Sequence, residues 1–340
     1  MQETKTLLVT GATGFVGQHL AMALLAVPGN KVRLLVRSRE RAVAKFGVHA
    51  EEMEIVEGDL TKPESLAGIC EGVEVVYHCA IAVLGTFHSG SGEGGFDAIN
   101  HKGTKNLALA ALSGGVERFV FTSSTAAMGT PTESVVDETT VCRPLNPYQR
   151  SKRAAEERLL ELHRDKGLPV VIVRPCLVTG PGKDGGELLK LLKLCKKGRF
   201  PMIGGAAKVK KPLIDVSDLV KALTLAAEKG RVGETYLVHS DGGHTLGDII
   251  ATAGRVVGND RPSLPIPYPL AWLGSRLTTP VFDLFDRPPP LAPNRLRLFI
   301  TSRRIDISKA RRELGYEPGQ QALFEMLGPT YEHYVNTGQF

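Results

Sequence analysis

Thr6-Leu7-Leu8-Val9-Thr10-Gly11-Ala12-Thr13-Gly14-Phe15-Val16-Gly17 is the stretch whose reading decides the fold. A short apolar run enters a turn carrying three glycines. A helical pattern leaves the turn at about Phe15 and runs to Val27, where Pro28-Gly29-Asn30 closes it. Strand, glycine turn and helix in that order open a parallel α/β unit. Glycines let a backbone approach a pyrophosphate closely, and the helix N-terminus supplies amide donors and the positive end of a dipole. A tight strand–helix turn with no ligand is the plainer alternative. The G-x-x-G-x-x-G spacing in this context favours a bound dinucleotide, although it differs from the more familiar G-x-G-x-x-G.

The same rhythm continues outward. Lys31 to Val36 reads as a second strand ending at Arg37-Ser38-Arg39. An acid at that place would accept hydrogen bonds from an adenosine ribose 2′-hydroxyl, whereas two guanidiniums suit a 2′-phosphate. NADP(H) is therefore favoured over NAD(H), the alternative being a merely solvated strand end. Met53 to Leu60 reads as a third strand in which Asp59 can meet an adenine amino group. Val73 to Cys79 is a fourth, apolar on both faces as in a parallel sheet. Asn100 opens a helix that runs to about Ser113. Arg118 to Thr122 is a fifth strand, followed by Ser123-Ser124-Thr125, and Pro169 to Val173 a sixth, followed by Arg174-Pro175-Cys176-Leu177-Val178. Strands alternating with helices predict a doubly wound parallel (Rossmann) sheet over residues 1–182, completed by part of 205–240. Ligands of such sheets sit beyond the carboxyl ends of the strands. Gly11, Arg37, Asp59, Ala80, Ser124 and Pro175 all fall at such ends. The glycine-rich tract Gly85 to Gly95 reads as a mobile loop over a site or as disorder.

Tyr148 and Lys152 lie four residues apart at the start of a helical run, Ser151 to Lys166, so both side chains share one face, a turn apart. An ammonium beside a phenol favours phenolate, which predicts a tyrosine pKa drawn down from about 10 towards working pH. A phenol tuned in this way gives or takes a proton at a carbonyl or alcohol oxygen. Alone, such a pair is commonly surface decoration, and its meaning depends on what stands upstream.

Residues 183–340 read as a smaller, mostly C-terminal substrate-binding domain. Glu187 to Lys197 is an amphipathic helix with five leucines and four lysines, Pro212 to Val216 and Thr235 to Val238 are short strands, and Asp218 reads as the N-cap of the next helix. Pro262 to Ile300 is rich in proline, leucine and aromatics. It reads as a core element, a lid on a greasy substrate pocket or a membrane-surface patch, which leaves peripheral membrane contact open. The 340 residues are 42% hydrophobic and 23% charged, the composition of an ordinary globular protein. Five scattered cysteines without a C-x-x-C point to free thiols in a reducing compartment, with no disulfide frame and no metal site. A polar start that leads straight into a strand predicts no signal peptide, and no apolar run reaches the roughly 18 residues of a membrane span, so a cytoplasmic location is expected. The net charge of +6 is spread out and carries no basic-aromatic module for nucleic acid.

With these stretches together the chain closely resembles the extended short-chain dehydrogenase/reductase superfamily. The resemblance rests on Thr10 to Gly17, Gly58-Asp59-Leu60, Asn100-His-Lys-Gly-Thr104, Thr122-Ser-Ser124, Tyr148-Gln-Arg-Ser-Lys152, Arg174-Pro175 through Gly182, and Asp306-Ile-Ser-Lys-Ala310 with Leu314 to Pro318. It covers nearly the whole chain. Pro290-Leu291, Arg295 to Leu298 and Asp306 to Ala310 resemble most the 3β-hydroxysteroid dehydrogenase branch, which includes C4-decarboxylating sterol dehydrogenases.

The resemblance implies that Tyr148 is the general acid/base, that Lys152 lowers its pKa and bonds the nicotinamide ribose, and that Ser124 holds and polarises the substrate oxygen. Asn100 supports the site or its proton path. Thr10, Gly11, Thr13, Gly14, Phe15, Val16 and Gly17 cradle the pyrophosphate, with Arg37, Ser38 and Arg39 at the 2′-phosphate and Asp59 and Leu60 at the adenine. Cys79, Ala80, Ile81, Thr122 and Ser123 line the cofactor, and Pro175, Cys176, Leu177 and Val178 run along the nicotinamide.

Two stretches depart from the pattern. Ala127-Met128-Gly129 stands where many members carry V-Y-G, which weakens a sugar-nucleotide epimerase reading. Cys79-Ala80-Ile81 replaces a common Asn/Leu-Ala-Ala and puts the cofactor-side packing in question. The expected reaction is hydride transfer between a nicotinamide and a secondary alcohol or ketone of a small hydrophobic, sterol-like substrate. If that substrate carries a C4 carboxylate, oxidation yields a β-keto acid able to lose carbon dioxide. Lys183 and Arg303 are candidate anion partners, more simply read as solvated charges. The rivals are a nucleotide-sugar epimerase or dehydratase, kept alive by Lys208 to Lys211 and Arg303-Arg304, and a non-catalytic dinucleotide-sensing protein. A homodimer is expected through helices following Asn100 and Tyr148, on a stripe of Ala154, Ala155, Leu159 and Leu162.

Overall fold

Apolar runs buried on both faces build a seven-stranded parallel sheet in the computed structural model, which describes residues 4–82, 95–129, 131, 133–240, 243–259, 264–284, 296, 302 and 304–340. Most of the glycine-rich tract, much of 262–300 and Arg303 lie outside the described residues. The chain forms two units, one of Met1–Val178, Ile214–His239 and Asp306–Pro318, the other of Thr179–Leu213, Ser240–Ile305 and Gly319–Phe340. Residues 214–239, within the 205–240 stretch read as completing the sheet, group with the first unit, and so do residues 306–318.

In the first unit the strands are β1 (Lys5–Thr10), β2 (Asn30–Val36), β3 (Glu54–Glu57), β4 (Val75–His78), β5 (Arg118–Thr122), β6 (Val170–Pro175) and β7 (Thr235–Val238), in spatial order β7-β6-β5-β4-β1-β2-β3. Val9 in β1 lies beside Leu34 on one side and Tyr77 on the other. The chain winds outward from β1 in one direction through β2 and β3, then in the other through β4 to β7. The order reverses between β1 and β4, the place where open α/β sheets bind ligands.

The helices are α1 (Phe15–Leu25), α2 (Arg39–Phe46), α3 (Thr104–Gly114), α4 (Pro147–Lys166), α5 (Val216–Lys229) and α6 (Ser308–Leu314). α1 packs beside α5, and α3 beside α4. Leu107, Ala108, Ala111, Ala155, Leu159 and Leu162 join Leu8, Val76, Phe119, Phe121 and Ile172 in one buried cluster. Each fully buried aliphatic or aromatic side chain of this kind contributes about 1.5–3 kcal/mol. Ala155, Leu159 and Leu162 are therefore core, and of the stripe expected to carry a dimer face only Ala154 stays partly exposed.

Two local expectations are corrected. The helix after β4 does not open at Asn100: Asp97–Gly103 forms a π-helical stretch that passes into α3 at Thr104. Asp215, not Asp218, caps α5, its Oδ1 accepting from Ser217 N at 2.8 Å and Ser217 Oγ at 2.6 Å. Asp218 sits buried in the first turn.

In the second unit the helices Gly186–Lys196, Leu246–Val256 and Leu323–Asn336 bury Leu188, Leu192, Ile249, Ala253, Met326, Leu327 and Tyr334 against one another. Strands Pro201–Ile203 and Leu264–Ile266 pair in parallel, and part of the greasy segment forms a helix, Tyr268–Leu284. Among the described residues no helix is long and apolar enough to cross a membrane.

Candidate active site

Gly11 is left-handed, at φ +69°, and a Cβ there would meet Ala80 N at 2.6 Å. A Cβ at Gly17 would collide with Gly11 O. The first glycine thus lets the turn lie against the end of β4, and the third lets α1 lie against the turn. Gly14, as N-cap of α1, brings no capping side chain, and the first turn holds no acidic residue. Thr13 and Gly14 are exposed. A helix start with no capping side chain, backed by a glycine turn, presents the positive end of its dipole to an anion. This geometry fits the pyrophosphate of a dinucleotide.

At the end of β2, Arg37 is exposed and its charge reaches Asp59. Partial burial disfavours charge on Asp59. Hydrogen bonds from Thr61 N at 2.8 Å and Thr61 Oγ1 at 2.7 Å, with Arg37 and Lys62, nonetheless hold its carboxyl below the usual range. Arg39 is turned away: its Nη1 donates to Ile55 O at 2.8 Å and its backbone N to Glu57 Oε1 at 2.6 Å. Ser38 caps α2, its Oγ accepting from Arg41 N at 3.2 Å. Of the two guanidiniums expected at a 2′-phosphate, Arg37 alone stands uncommitted to the strand next door. Leu60 O accepts from Asn106 Nδ2 at 2.8 Å, which ties the adenine-side strand end to α3.

Beyond β4, Asn100 is buried and pins the chain. Its Oδ1 accepts from Ala82 N at 2.7 Å, and its Nδ2 donates to Ala82 O at 3.1 Å and to Ser151 Oγ at 3.0 Å. Ser151 Oγ in turn donates to Tyr148 O at 2.9 Å. Asn100 therefore joins the Ala80–Ala82 strip to the helix that carries the tyrosine, as a support.

The start of α4 is encoded locally. Asn146 Oδ1 accepts from Gln149 N at 2.9 Å, Gln149 Oε1 accepts from Asn146 N at 3.4 Å, and Pro147 follows the cap. This capping box begins the helix four residues ahead of the Ser151 read from the sequence, with Tyr148 in its first turn. Lys152 is buried, donates from Nζ to Thr122 O at 2.8 Å and lies 4.1 Å from the Phe121 ring centroid. Burial lowers its pKa to about 8, against the opposing influence of Glu156 and Cys79. Tyr148 packs edge-on to Phe96, with ring centroids 6.0 Å apart, and is hydrogen-bonded by Ser124. Ser124 Oγ also accepts from Ala126 N at 3.1 Å.

The expected lowering of the tyrosine pKa is overturned. Burial pushes the Tyr148 phenol up to about 12, and the hydrogen bond from Ser124 only partly offsets it. Lys152 directs its ammonium to the Thr122 carbonyl, and desolvation outweighs what a spacing of four residues suggested. Tyr148 is a neutral phenol across the ordinary pH range.

Other expected cofactor contacts are drawn into the core. Ser123 Oγ donates to Glu156 Oε1 at 2.5 Å, so this hydroxyl is an anchor and not a cofactor ligand. Cys79 Sγ lies 3.2 Å from Thr122 Oγ1, and Cys176 is buried and hydrogen-bonded with Thr125. Ile81 and Leu177 are exposed beyond the strand ends. The sequence reading missed Glu156, which forms a buried ion pair with Arg174 behind the site, with bonds of 2.8 Å and 2.7 Å. The Arg–Pro motif singled out Arg174, but nothing in the spacing pointed to its partner. In the second unit burial lowers the Lys183 pKa to about 8, with Glu187 opposing.

Comparison with known proteins agrees with this geometry. The model of the NAD dependent epimerase/dehydratase family matches residues 7–238. The chain is 34% identical to sterol demethylase protein B of Methylococcus capsulatus, over 92% of this chain and 94% of that one. It is 28% identical to UDP-glucose 4-epimerase of Vibrio cholerae, over 93% and 92%. It is 29% identical to a 3 beta-hydroxysteroid dehydrogenase/Delta 5-->4-isomerase of Mycobacterium tuberculosis, over 96% and 90%. The chain belongs to the NAD dependent epimerase/dehydratase family, within the extended short-chain dehydrogenase/reductases, and is a nicotinamide-dependent oxidoreductase acting at a CH–OH or C=O carbon.

Proposed function

We propose that the chain transfers hydride between NADP(H) and a secondary alcohol or ketone of a hydrophobic, sterol-like substrate. The observation that carries the redox reading is the set of Ser124, hydrogen-bonded to Tyr148, with buried Lys152 one turn along α4. When bound, the nicotinamide supplies or accepts the hydride. In reduction Tyr148, as a neutral phenol, gives its proton to the carbonyl oxygen as the carbon gains hydride. Ser124 donates a hydrogen bond to the oxygen while charge develops there, where a preorganised donor is most effective. Lys152, whose ammonium is held at Thr122 O, would bond the nicotinamide ribose. Oxidation runs these steps backwards, with Tyr148 collecting the alcohol proton.

The glycine turn and the α1 amides would hold the pyrophosphate, and Asp59 the adenine. The NADP(H) preference rests on Arg37. Removing a charge-assisted contact of this kind costs about 1.5–3 kcal/mol, so Arg37→Ala should weaken NADP(H) binding by about 10- to 100-fold and spare NAD(H). Arg39→Ala should change neither much. Dissociation constants for the two dinucleotides check this, and an Arg37→Ala protein that still prefers NADP(H) as wild type does would remove the assignment. The five cysteines are free thiols, which supports a reducing, cytoplasmic setting.

The sterol-like substrate is supported by the likeness to sterol demethylase protein B and by the leucine-rich Tyr268–Leu284 helix, on which Leu270, Leu273 and Leu277 are exposed. A panel of 3β-hydroxysterols, flavonoid-like ketones and UDP-sugars, read by reduced-nicotinamide absorbance, tests it. Turnover of the sterols is expected. Turnover of UDP-sugars alone would replace this reading with the epimerase one.

A further inference from the structure

We infer that His78 is a positioning residue for the dinucleotide, holding through its two ring nitrogens a hydrogen-bonded chain that clamps the Ala80–Ala82 backbone against the glycine turn. The inference rests on the dinucleotide-binding reading above. His78 ends β4 in the middle of the sheet and is fully buried.

The direction of every bond in the chain follows from the chemistry of its members. Thr104 Oγ1 donates its one proton to Asn100 O at 2.7 Å. It therefore accepts from His78 Nε2, 2.8 Å away, and that nitrogen carries the proton. The neutral ring leaves a lone pair at Nδ1, which accepts from Thr10 Oγ1 at 2.7 Å. Thr10 Oγ1 accepts in turn from Ala80 N at 3.2 Å. Asn100, whose carbonyl ends this chain, holds Ala82 by both its N–H and its C=O. Three hydrogen bonds thus fix a three-residue backbone strip at the point where the sheet order reverses. Gly11 lies so close to that strip that a Cβ would meet Ala80 N at 2.6 Å.

The His78 ring stacks on Phe121, with centroids 5.5 Å apart, and Phe121 carries the Lys152 ammonium on its ring. A protonated imidazole would lose the bond from Thr10 and bring a second cation towards Lys152. Burial and Lys152 together hold the His78 pKa down at about 3, so the ring keeps its one tautomer. A ring saturated at both nitrogens shuttles no proton. It sets the shape of the wall along which the dinucleotide lies.

Thr104 allows a test that leaves the site residues untouched, because valine keeps its shape and serine keeps its hydroxyl. Fluorescence titration with NADPH and NADH is expected to give Thr104→Val, which loses the bond to Asn100 O and the one from His78 Nε2, a dissociation constant raised about tenfold. Thr104→Ser should stay within about twofold of wild type, and kcat at saturating dinucleotide within about threefold for both variants. Nitrogen-15 NMR of the histidines, with the His78 signals assigned by their loss in His78→Phe, should show the Nε2–H tautomer unchanged between about pH 5 and 9. Several results would overturn the inference: Val and Ser variants weakened alike, a Val variant with lowered Tm but unaltered dissociation constants, or an Nδ1–H ring. A wild-type chain that binds neither dinucleotide would overturn the reading of the site as well, whereas normal wild-type binding with an indifferent Thr104→Val overturns the inference alone.

Discussion

Tyr148→Phe is expected to lower kcat by about 10²–10⁴-fold, the range of general acid–base catalysis, while dinucleotide binding stays close to wild type. The variant removes one oxygen and keeps the ring that packs on Phe96. The loss should therefore fall on the proton-transfer step and not on folding. Because burial and the Ser124 bond leave the phenol with a pKa near 12, the two directions should respond differently to pH. Reduction uses the phenol as an acid and gains nothing as pH rises through neutrality. Oxidation needs the deprotonated oxygen and should quicken over the same range. Steady-state kinetics in both directions, with dinucleotide titrations of the variant, check this. Near-normal turnover in Tyr148→Phe would remove the tyrosine from the reaction.

Arg174→Ala is expected to cost about 3–5 kcal/mol of stability, because it removes the buried cation that holds Glu156 by two short bonds and leaves that carboxylate only Ser123 and, at 3.5 Å, the partly exposed Arg153. Glu156 lies on α4 one turn past Lys152, its side chain is wholly buried, and it holds Arg174 in β6 by two short bonds. The same carboxylate accepts from Ser123, next to Ser124. The pair therefore locks α4, β6 and the end of β5 together behind the reacting groups. Burial opposes charge on Arg174, but the bonds and charge of Glu156 more than offset it and raise its pKa. Urea and thermal unfolding of Arg174→Ala, beside a Glu156→Leu/Arg174→Met double variant, measure the effect. The double variant should recover part of the loss, since apolar replacements leave no buried charge behind. A single variant within about 1 kcal/mol of wild type would show that the pair does not bind these elements together.

The local features of the fold were legible because neighbours in sequence determine them. The glycine turn, the β-strand runs and the Tyr148–Lys152 spacing are decided within a few residues, and the structure places them as read. Interactions across the sheet were not legible. His78 meets Thr10 across 68 residues, and Glu156 meets Arg174 across 18, and no periodicity marks either pair. The tyrosine pKa went the other way from the sequence expectation because a four-residue spacing fixes proximity but not desolvation. Similarly, Ala155, Leu159 and Leu162 form a stripe that suits either a partner or the chain's own core, and only the packing of α4 on the sheet decides for the core. Arg39 reads as a phosphate ligand beside Arg37 until its guanidinium is seen to hold the Ile55 carbonyl.

The stoichiometry of dinucleotide to substrate tests the central claim most directly. With a 3β-hydroxysterol and NADP⁺, one mole of NADPH should form for each mole of ketone. With deuterated NADPH and the ketone, the label should arrive at the carbinol carbon. Substrate turnover with no net change in the dinucleotide, as in an epimerisation that returns its hydride, would contradict the account.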